Sequence, residues 1–298
     1  MLSYRKNKLV IALLLTTVTA LIAVIVVVSM THGESKQVEI VQLQNIATDP
    51  DTDKISAMTI NMAHGRADGR NQILQSKVTI EKNLVAIGNL IARENPQIVA
   101  LQEVDAPSWW SGNFSHVERV GNLGGMTAAV QGQNIDGLGL HYGAGVVTQL
   151  QASAARQVTF QKNFPTFSKG FVVVTCSWPG DPDFQFDVVS LHLDFASTKA
   201  RSHQIAVLTE LVVQNPRPII LMGDFNTVMS ADLLPKFIVD TGLQTWRADD
   251  ASIVTFPILG SRIDWIFASA EFQIVGQEVL DDVLSDHRII VASLVRRP

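Results

Sequence analysis

The apolar positions of this chain change rhythm at about residue 54, and the parts on either side read differently. Leu9 to Met30 is a run of 22 residues without a charge. At about 1.5 Å per helical residue it spans roughly 33 Å against a hydrocarbon core of about 30 Å, enough to cross a bilayer. A cleaved signal peptide is the alternative, but its apolar core runs to roughly 7–15 residues before a small-residue site, and Ser29-Met30-Thr31 makes a poor one. Residues 31–53 are polar and end in Asp49-Pro50-Asp51-Thr52-Asp53, which reads as a linker with one short extended piece at Val38 to Leu43.

Beyond the linker the pattern alternates between the two periods of regular structure. Ser56 to Asn61 is strand-like. Lys77 to Arg93 carries Ile80, Leu84, Ile87 and Ile91 at the spacing of one helical face, Pro96 closes that helix, and Gln97 to Leu101 is a short buried run. Asp105 to Gly139, rich in Gly, Ser and Asn, reads as loop, with Trp109 and Trp110 packing beneath it, contact with substrate or a membrane surface being the alternative. Strands follow at Gly145 to Leu150, Gly170 to Trp178 and Phe184 to Leu193, the last two joined as an antiparallel hairpin by the turn at residues 179–183. A helix is predicted over Lys199 to Val213 from Ile205, Leu208 and Val212, then a strand over Pro218 to Met222 and a short helix over Ala231 to Val239. Ile263 to Phe267, Gln273 to Val279 and Ile289 to Leu294 complete the strands. With no repeat and no second linker, residues 54–298 form one α/β domain, and the mixture of hairpins and helices suggests two sheets with helices outside.

Charge adds an orientation. Arg5, Lys6 and Lys8 make residues 1–8 a basic N-terminus, whereas only Lys36 closely follows the apolar span, beside Glu34 and Glu39. The chain therefore reads as a single-pass membrane protein whose N-terminus is cytoplasmic. Its partner through residues 9–30 is the lipid bilayer, and its domain is extracytoplasmic, whether periplasmic, extracellular or lumenal. The whole chain has a net charge of −5, and the part after residue 8 carries 20 basic against 28 acidic residues, or −8. Such a balance argues against nonspecific attraction to nucleic acid while leaving a local basic groove open. The lone Cys176 excludes an intrachain disulfide and a multi-thiolate metal site, so a bound metal must use oxygen or imidazole.

Candidate chemistry lies where the apolar runs stop. Asn61, Glu103, His192, Asp224 with Asn226, Asp264, and Asp286 with His287 all flank strands. Singly, each has a plain structural reading: Asn61 and Asp224 as turn-formers, Asp286 as a cap, His192 as a satisfied core histidine. Together they make chemical sense. Glu103 and Asp286 offer hard oxygen ligands suited to Mg²⁺ or Mn²⁺. Asp224 can accept a proton from an attacking water, and Asn226 can hold that water or Asp224 in place. His192 and His287 can donate to phosphate oxygens as charge builds, with Asp264 fixing the tautomer of His287.

Six stretches in order carry a resemblance: Thr59-Ile60-Asn61, the run from Gln97 to Val104 containing Gln102-Glu103, Ser190-Leu191-His192-Leu193, Gly223-Asp224-Phe225-Asn226, Arg262-Ile263-Asp264-Trp265-Ile266-Phe267 and Ser285-Asp286-His287. The set resembles the endonuclease/exonuclease/phosphatase superfamily. That resemblance implies a four-layered α/β/β/α sandwich of two mixed or antiparallel sheets, here preceded by one transmembrane helix, and metal-dependent cleavage of a phosphoester. It also implies Asn61 and Glu103 at the metal with Asp286 at or near it, His192 and His287 on the phosphate, Asp224 as water activator beside Asn226, and Asp264 paired with His287. One segment departs from the family pattern, Tyr142 to Val147, where Ala144 stands in place of an Asn common among relatives. His64, in the loop after Asn61, reads as solvent-exposed, with a place facing the cleft as the alternative. The leading expectation is a membrane-anchored phosphodiesterase or phosphatase acting on a phospholipid head group or small diester. A nuclease is the second reading and a non-catalytic binding module the third, and no protein partner can be inferred.

Overall fold

The computed structural model describes residues 35–44, 53–69, 71–73 and 75–297. Its first strands are β1 (Ser35–Gln37), β2 (Ile40–Gln42) and β3 (Lys54–Asn61), followed by helix α1 (Lys77–Glu94) and β4 (Ile98–Asp105). Next come α2 (His116–Leu123), β5 (Ala128–Gln131), β6 (Ile135–Gly137), β7 (Leu140–Thr148), β8 (Ala152–Thr159), β9 (Gly170–Trp178) and β10 (Asp181–His192). The remaining elements are α3 (Thr198–Gln214), β11 (Ile219–Asp224), α4 (Leu233–Thr241), β12 (Gln244–Thr245), β13 (Asp264–Ala268), β14 (Phe272–Val279) and β15 (Ile290–Arg296).

Two mixed sheets result. One runs β1-β8-β9-β10-β11-β13-β12, and the other β14-β15-β3-β4-β7-β5-β2 with β6 paired to β7. Each contains one parallel pair, β10 with β11 and β3 with β4, and helices α3 and α1 make the crossovers. Three apolar layers hold the stack together. Val174, Val188 and Met222 from the first sheet meet Ala57, Ala100 and Val146 from the second in the middle layer. Ile80, Leu84, Ile87 and Ile91 of α1 cover the outer face of the second sheet, and Ile205, Leu208 and Phe237 cover that of the first. Those α1 positions are the ones the sequence spacing selects. Ser76 accepts the Thr79 amide at the start of α1, and Asn95 turns left-handed at φ 47° to end it.

The structure departs from the sequence reading in three places. Within the 31–53 linker, β1 pairs antiparallel with β8 and β2 with β5, so this segment seals one edge of each sheet. Strand β2 falls within the extended piece expected at Val38 to Leu43, whereas β1 is too short to show a period and is defined by its pairing with β8. The 105–139 stretch is not one loop: α2, β5 and β6 lie within it, with α2 capped by Ser115 and burying Val117 and Val120. Strand β8 was not expected at all, because its first half is alternately small and polar and largely exposed. The apolar run at residues 9–30 lies outside the described residues. Among those described, no helix is long and apolar enough to cross a membrane.

All the predicted site residues collect at one end of the stack because of how these strands are registered. His192, Asp224 and Asp264 lie side by side in one row across β10, β11 and β13. Gly223, just before that row, has φ 144°, and a Cβ there would sit 2.1 Å from the Leu191 carbonyl oxygen. Replacement of Gly223 by Ala is expected to lower unfolding stability by at least about 3 kcal/mol, read from the urea midpoint at constant m-value.

Candidate active site

At the centre is the carboxylate of Asp224, 1% exposed at the C-terminal end of β11. Its Oδ1 accepts the backbone N–H of Asn226 at 2.9 Å. Its Oδ2 accepts Asn61 Nδ2 at 3.1 Å and faces His192 Nε2 at 3.4 Å and His287 Nε2 at 3.8 Å. Asn226 takes a left-handed φ of 49°, which folds its N–H back onto that carboxylate, and its own amide donates to the Leu193 carbonyl. Burial pushes the Asp224 carboxyl up to about 7; His287, the Asn226 N–H and Asn61 act against that shift, while Asp264 adds to it.

His287 sits between two acids. Its Nδ1 donates to Asp264 Oδ2 at 3.0 Å, and its ring packs on Phe256. Burial lowers its basicity, but Asp264 and Asp224 outweigh that and raise it to about 10, so it is an imidazolium at neutral pH. His192 behaves oppositely. Burial and then Lys169 hold it well below its ordinary value. Lys169 Nζ lies 3.3 Å from His192 Nδ1. An ammonium only donates, so Nδ1 is the acceptor and the neutral ring carries its proton on Nε2, the nitrogen turned toward Asp224.

Glu103 forms the second focus. It stands in a bulge of β4, between Leu101 and Val104 of the β7 pairing, with φ 48°. The bulge breaks the alternation of the strand and turns Glu103 toward the first sheet. Its Oε2 lies 3.6 Å from both His64 Nε2 and Arg66 Nη1, and its Oε1 lies 3.7 Å from Lys169 Nζ and 3.9 Å from His192 Nε2. Burial would raise its pKa, but His64, Lys169, His192 and Arg66 overcome that and keep it well below the carboxylate range. Arg66 also reaches Asp286, with Nη2 at 2.6 Å from Oδ2.

The eight residues singled out from sequence, Asn61, Glu103, His192, Asp224, Asn226, Asp264, Asp286 and His287, are thus linked through direct contacts or through Arg66. Two further groups, Arg66 and Lys169, escaped the sequence reading, and the leading expectation for a third is corrected. His64, expected in solvent, is 8% exposed: Nδ1 meets Asp105 Oδ2 at 2.8 Å, and its ring lies edge-on to Tyr142 and against Trp110. Arg66 and Lys169 lie in loops, Lys169 directly ahead of β9, where a single cation gives no periodic signal. Of the paired tryptophans, Trp110 packs as expected and donates Nε1–H to Asp105, while Trp109 is 59% exposed. Ala144, the departure from the family pattern, is fully buried in the middle layer.

Two groupings invite a cation. Ligand atoms of Asp224, Asp264 and His287 lie within 4.8 Å of one another. His287 Nδ1 is engaged by Asp264, however, and both Asp224 oxygens already accept hydrogen bonds, from the Asn226 N–H and from Asn61. Glu103 and Asp286 suit a divalent ion better. Both carboxylates already converge on one positive group, the Arg66 guanidinium, and both are hard oxygen donors. Asn61 is close by through Asp224, although its Oδ1 accepts the Ala63 N–H.

The family model described as Endonuclease/Exonuclease/phosphatase family matches residues 58–287. No curated protein matches the sequence. Among solved structures, an endonuclease/exonuclease/phosphatase from Beutenbergia cavernae DSM 12333 superposes with a TM-score of 0.65 at 19% identity, covering 82% of this chain and 72% of that one. TDP2 of D. rerio, complexed with a single-strand DNA product, gives 0.62 at 15% identity over 81% of this chain and 98% of its own. A mannosyl-6-phosphatase from Bacteroides thetaiotaomicron VPI-5482 gives 0.59 at 17% identity over 81% and 99%.

The titration of His287 follows from its two acidic neighbours. Its folded value lies above the ordinary 6.5, so the stability it contributes is full below about pH 6.5 and is lost as the pH rises through about 10. An imidazole NMR titration of the metal-free protein is expected to place His287 far above the other histidines. Asp264→Asn is expected to bring that midpoint down and to flatten the loss of stability between pH 7 and 10.

Proposed function

Since the chain belongs to the endonuclease/exonuclease/phosphatase family, we propose that it is a metal-dependent phosphoesterase in which Asp224 activates the attacking water. The observation that carries this reading is the convergence of Asn61, His192, Asn226 and His287 on one buried carboxylate. A carboxyl raised to about 7 takes a proton from water near neutral pH with little driving force wasted. Asn61 and the Asn226 N–H hold its oxygens in one orientation. His287, kept protonated by Asp264, presents Nε2–H toward the same space, and His192 presents its own Nε2–H with Lys169 behind it. These two donors suit the phosphoryl oxygens, whose charge grows in the transition state.

Glu103 and Asp286, with Asn61 beside them, would hold the divalent cation, Mg²⁺ by preference with Mn²⁺ as an alternative. Bound there, the ion would supply Lewis-acid polarisation of a phosphoryl oxygen. The substrate we favour is a phosphodiester, a phospholipid head group or small diester, in an extracytoplasmic domain tethered to a bilayer through residues 9–30. Support comes from the length of that uncharged run and from the acidic balance of the remaining chain.

Hydrolysis of bis(p-nitrophenyl) phosphate in Mg²⁺ buffer tests the reaction. Asp224→Ala is expected to lower kcat by about 10²–10⁴-fold, and activity surviving both that change and EDTA would sink the proposal. A parallel panel of DNA, phospholipids and phosphomonoesters separates the lipid reading from the nuclease reading. Arg66 occupies the spot between the two metal carboxylates, so Arg66→Gln is expected to tighten Mn²⁺ binding. An ion pair of about 1 kcal/mol corresponds to roughly fivefold in Kd, measurable by electron paramagnetic resonance titration.

A further inference from the structure

The path by which the chain enters the sandwich bears on where the site faces. Ser35 pairs with Val158, Val158 with Phe171, Phe171 with Leu191 and Leu191 with Gly223. The next row along the same strands is Thr159, Gly170, His192, Asp224 and Asp264. Ser35 therefore lies one row from the catalytic row. Strand β1 runs away from it, through Gln37 opposite Arg156, so the chain arrives from the catalytic end. Three strand spacings separate β1 from β10, about 14 Å. From Met30, where the uncharged run stops, to Ser35 is five residues, a reach of at most about 18 Å. An anchor at residues 9–30 thus holds the catalytic end, and not the far end, close to the membrane.

A second observation, independent of the anchor, points the same way. Ile73, Trp109, Leu138, Phe164, Phe195 and Leu259 are each between 56% and 70% exposed. Every one lies in a loop at the catalytic end, after β3, β4, β6, β8 and β10 or before β13. Among the described residues, the connections at the opposite end, 95–97, 124–127, 149–151, 179–180, 215–218, 242–243 and 269–271, contain no large apolar side chain of comparable exposure, and the exposed Val213 and Val239 there stand singly in the last turns of α3 and α4. Aromatic and aliphatic side chains ringing a polar site suit the interfacial zone of a bilayer. The same loops mix Asp194, Asp249 and Asp281 with Lys162 and Arg247, so no basic cluster selects anionic lipid.

We infer that the catalytic end is turned onto the bilayer, with its apolar rim seated in the interface of a zwitterionic phospholipid membrane and the site opening onto the phosphodiester of a head group. This inference rests on the reading of the protein as a tethered phosphoesterase. The rim selects what reaches Asp224: a phosphoester held at the membrane surface is presented directly, while a soluble polyanion must enter past apolar loops.

The test uses the full chain in phosphatidylcholine nanodiscs. Cys176 is buried, so an introduced surface cysteine is the reactive thiol. Phe195→Cys and Leu259→Cys report the catalytic end, and Asp183→Cys and Glu271→Cys the far end, each carrying an environment-sensitive fluorophore. Doxyl-labelled lipid is expected to quench the two rim positions at least twofold and to leave the far positions unchanged. Equal quenching at both ends, or quenching confined to Asp183→Cys and Glu271→Cys, overturns the orientation. Hydrolysis of bis(p-nitrophenyl) phosphate without release of phosphatidylcholine head group overturns the lipid substrate. Loss of both hydrolyses with the quenching asymmetry intact refutes the phosphoesterase reading and upholds the orientation.

Discussion

A carboxylate removed from water must be satisfied by the protein around it, and the requirement set by Asp224 organises this structure. Its partners come from four other chain segments: Asn61 from the second sheet, His192 from the neighbouring parallel strand, the Asn226 turn, and His287 ahead of the last strand. They can meet only if the two sheets keep a fixed offset. A buried polar pin just below the site supplies that offset. Gln102 Nε2 donates to Ser190 Oγ, Ser190 Oγ donates to the Leu101 carbonyl, and Thr59 donates to Gln102 Oε1. Apolar packing alone would tolerate sliding, whereas a pin of directional bonds in a dry layer does not.

Charge balance extends the same logic. Glu103, Asp286, Asp224 and Asp264 are opposed by His64, Arg66, Lys169 and His287, each within 4 Å of a carboxylate. The two foci differ in consequence. Around Glu103 the cations outweigh burial and keep it ionised, which suits a metal ligand. Around Asp224 burial prevails, leaving a proton acceptor near neutrality. One pocket therefore holds two carboxylates in different states through the placement of neighbours alone.

Much of this was legible in the chain. Long strands and helices announce themselves by period, and polar groups beside greasy runs mark strand ends, as with Asn61, His192 and Asp224. What stayed hidden depends on tertiary path. His64, Arg66 and Lys169 sit in loops whose course is set by partners such as Asp105, Asp286 and Glu103, far away in sequence. The turn of Glu103 toward the first sheet arises from a bulge, and nothing in the run from Gln97 to Val104 signals one. Strand β1 has no pattern of its own and exists through β8, while β2 lies in the extended piece read at Val38 to Leu43 and is fixed by β5.

That short segment closes two sheets at once. Residues 35–42 lie along the open sides of both β8 and β5, whose unpaired backbone groups would otherwise face outward. Bare strand edges are templates for pairing between molecules, so this stretch guards the protein against self-association as well as completing its fold. Truncated forms begun after residue 42 would keep every candidate site residue and yet expose two aggregation-prone borders together.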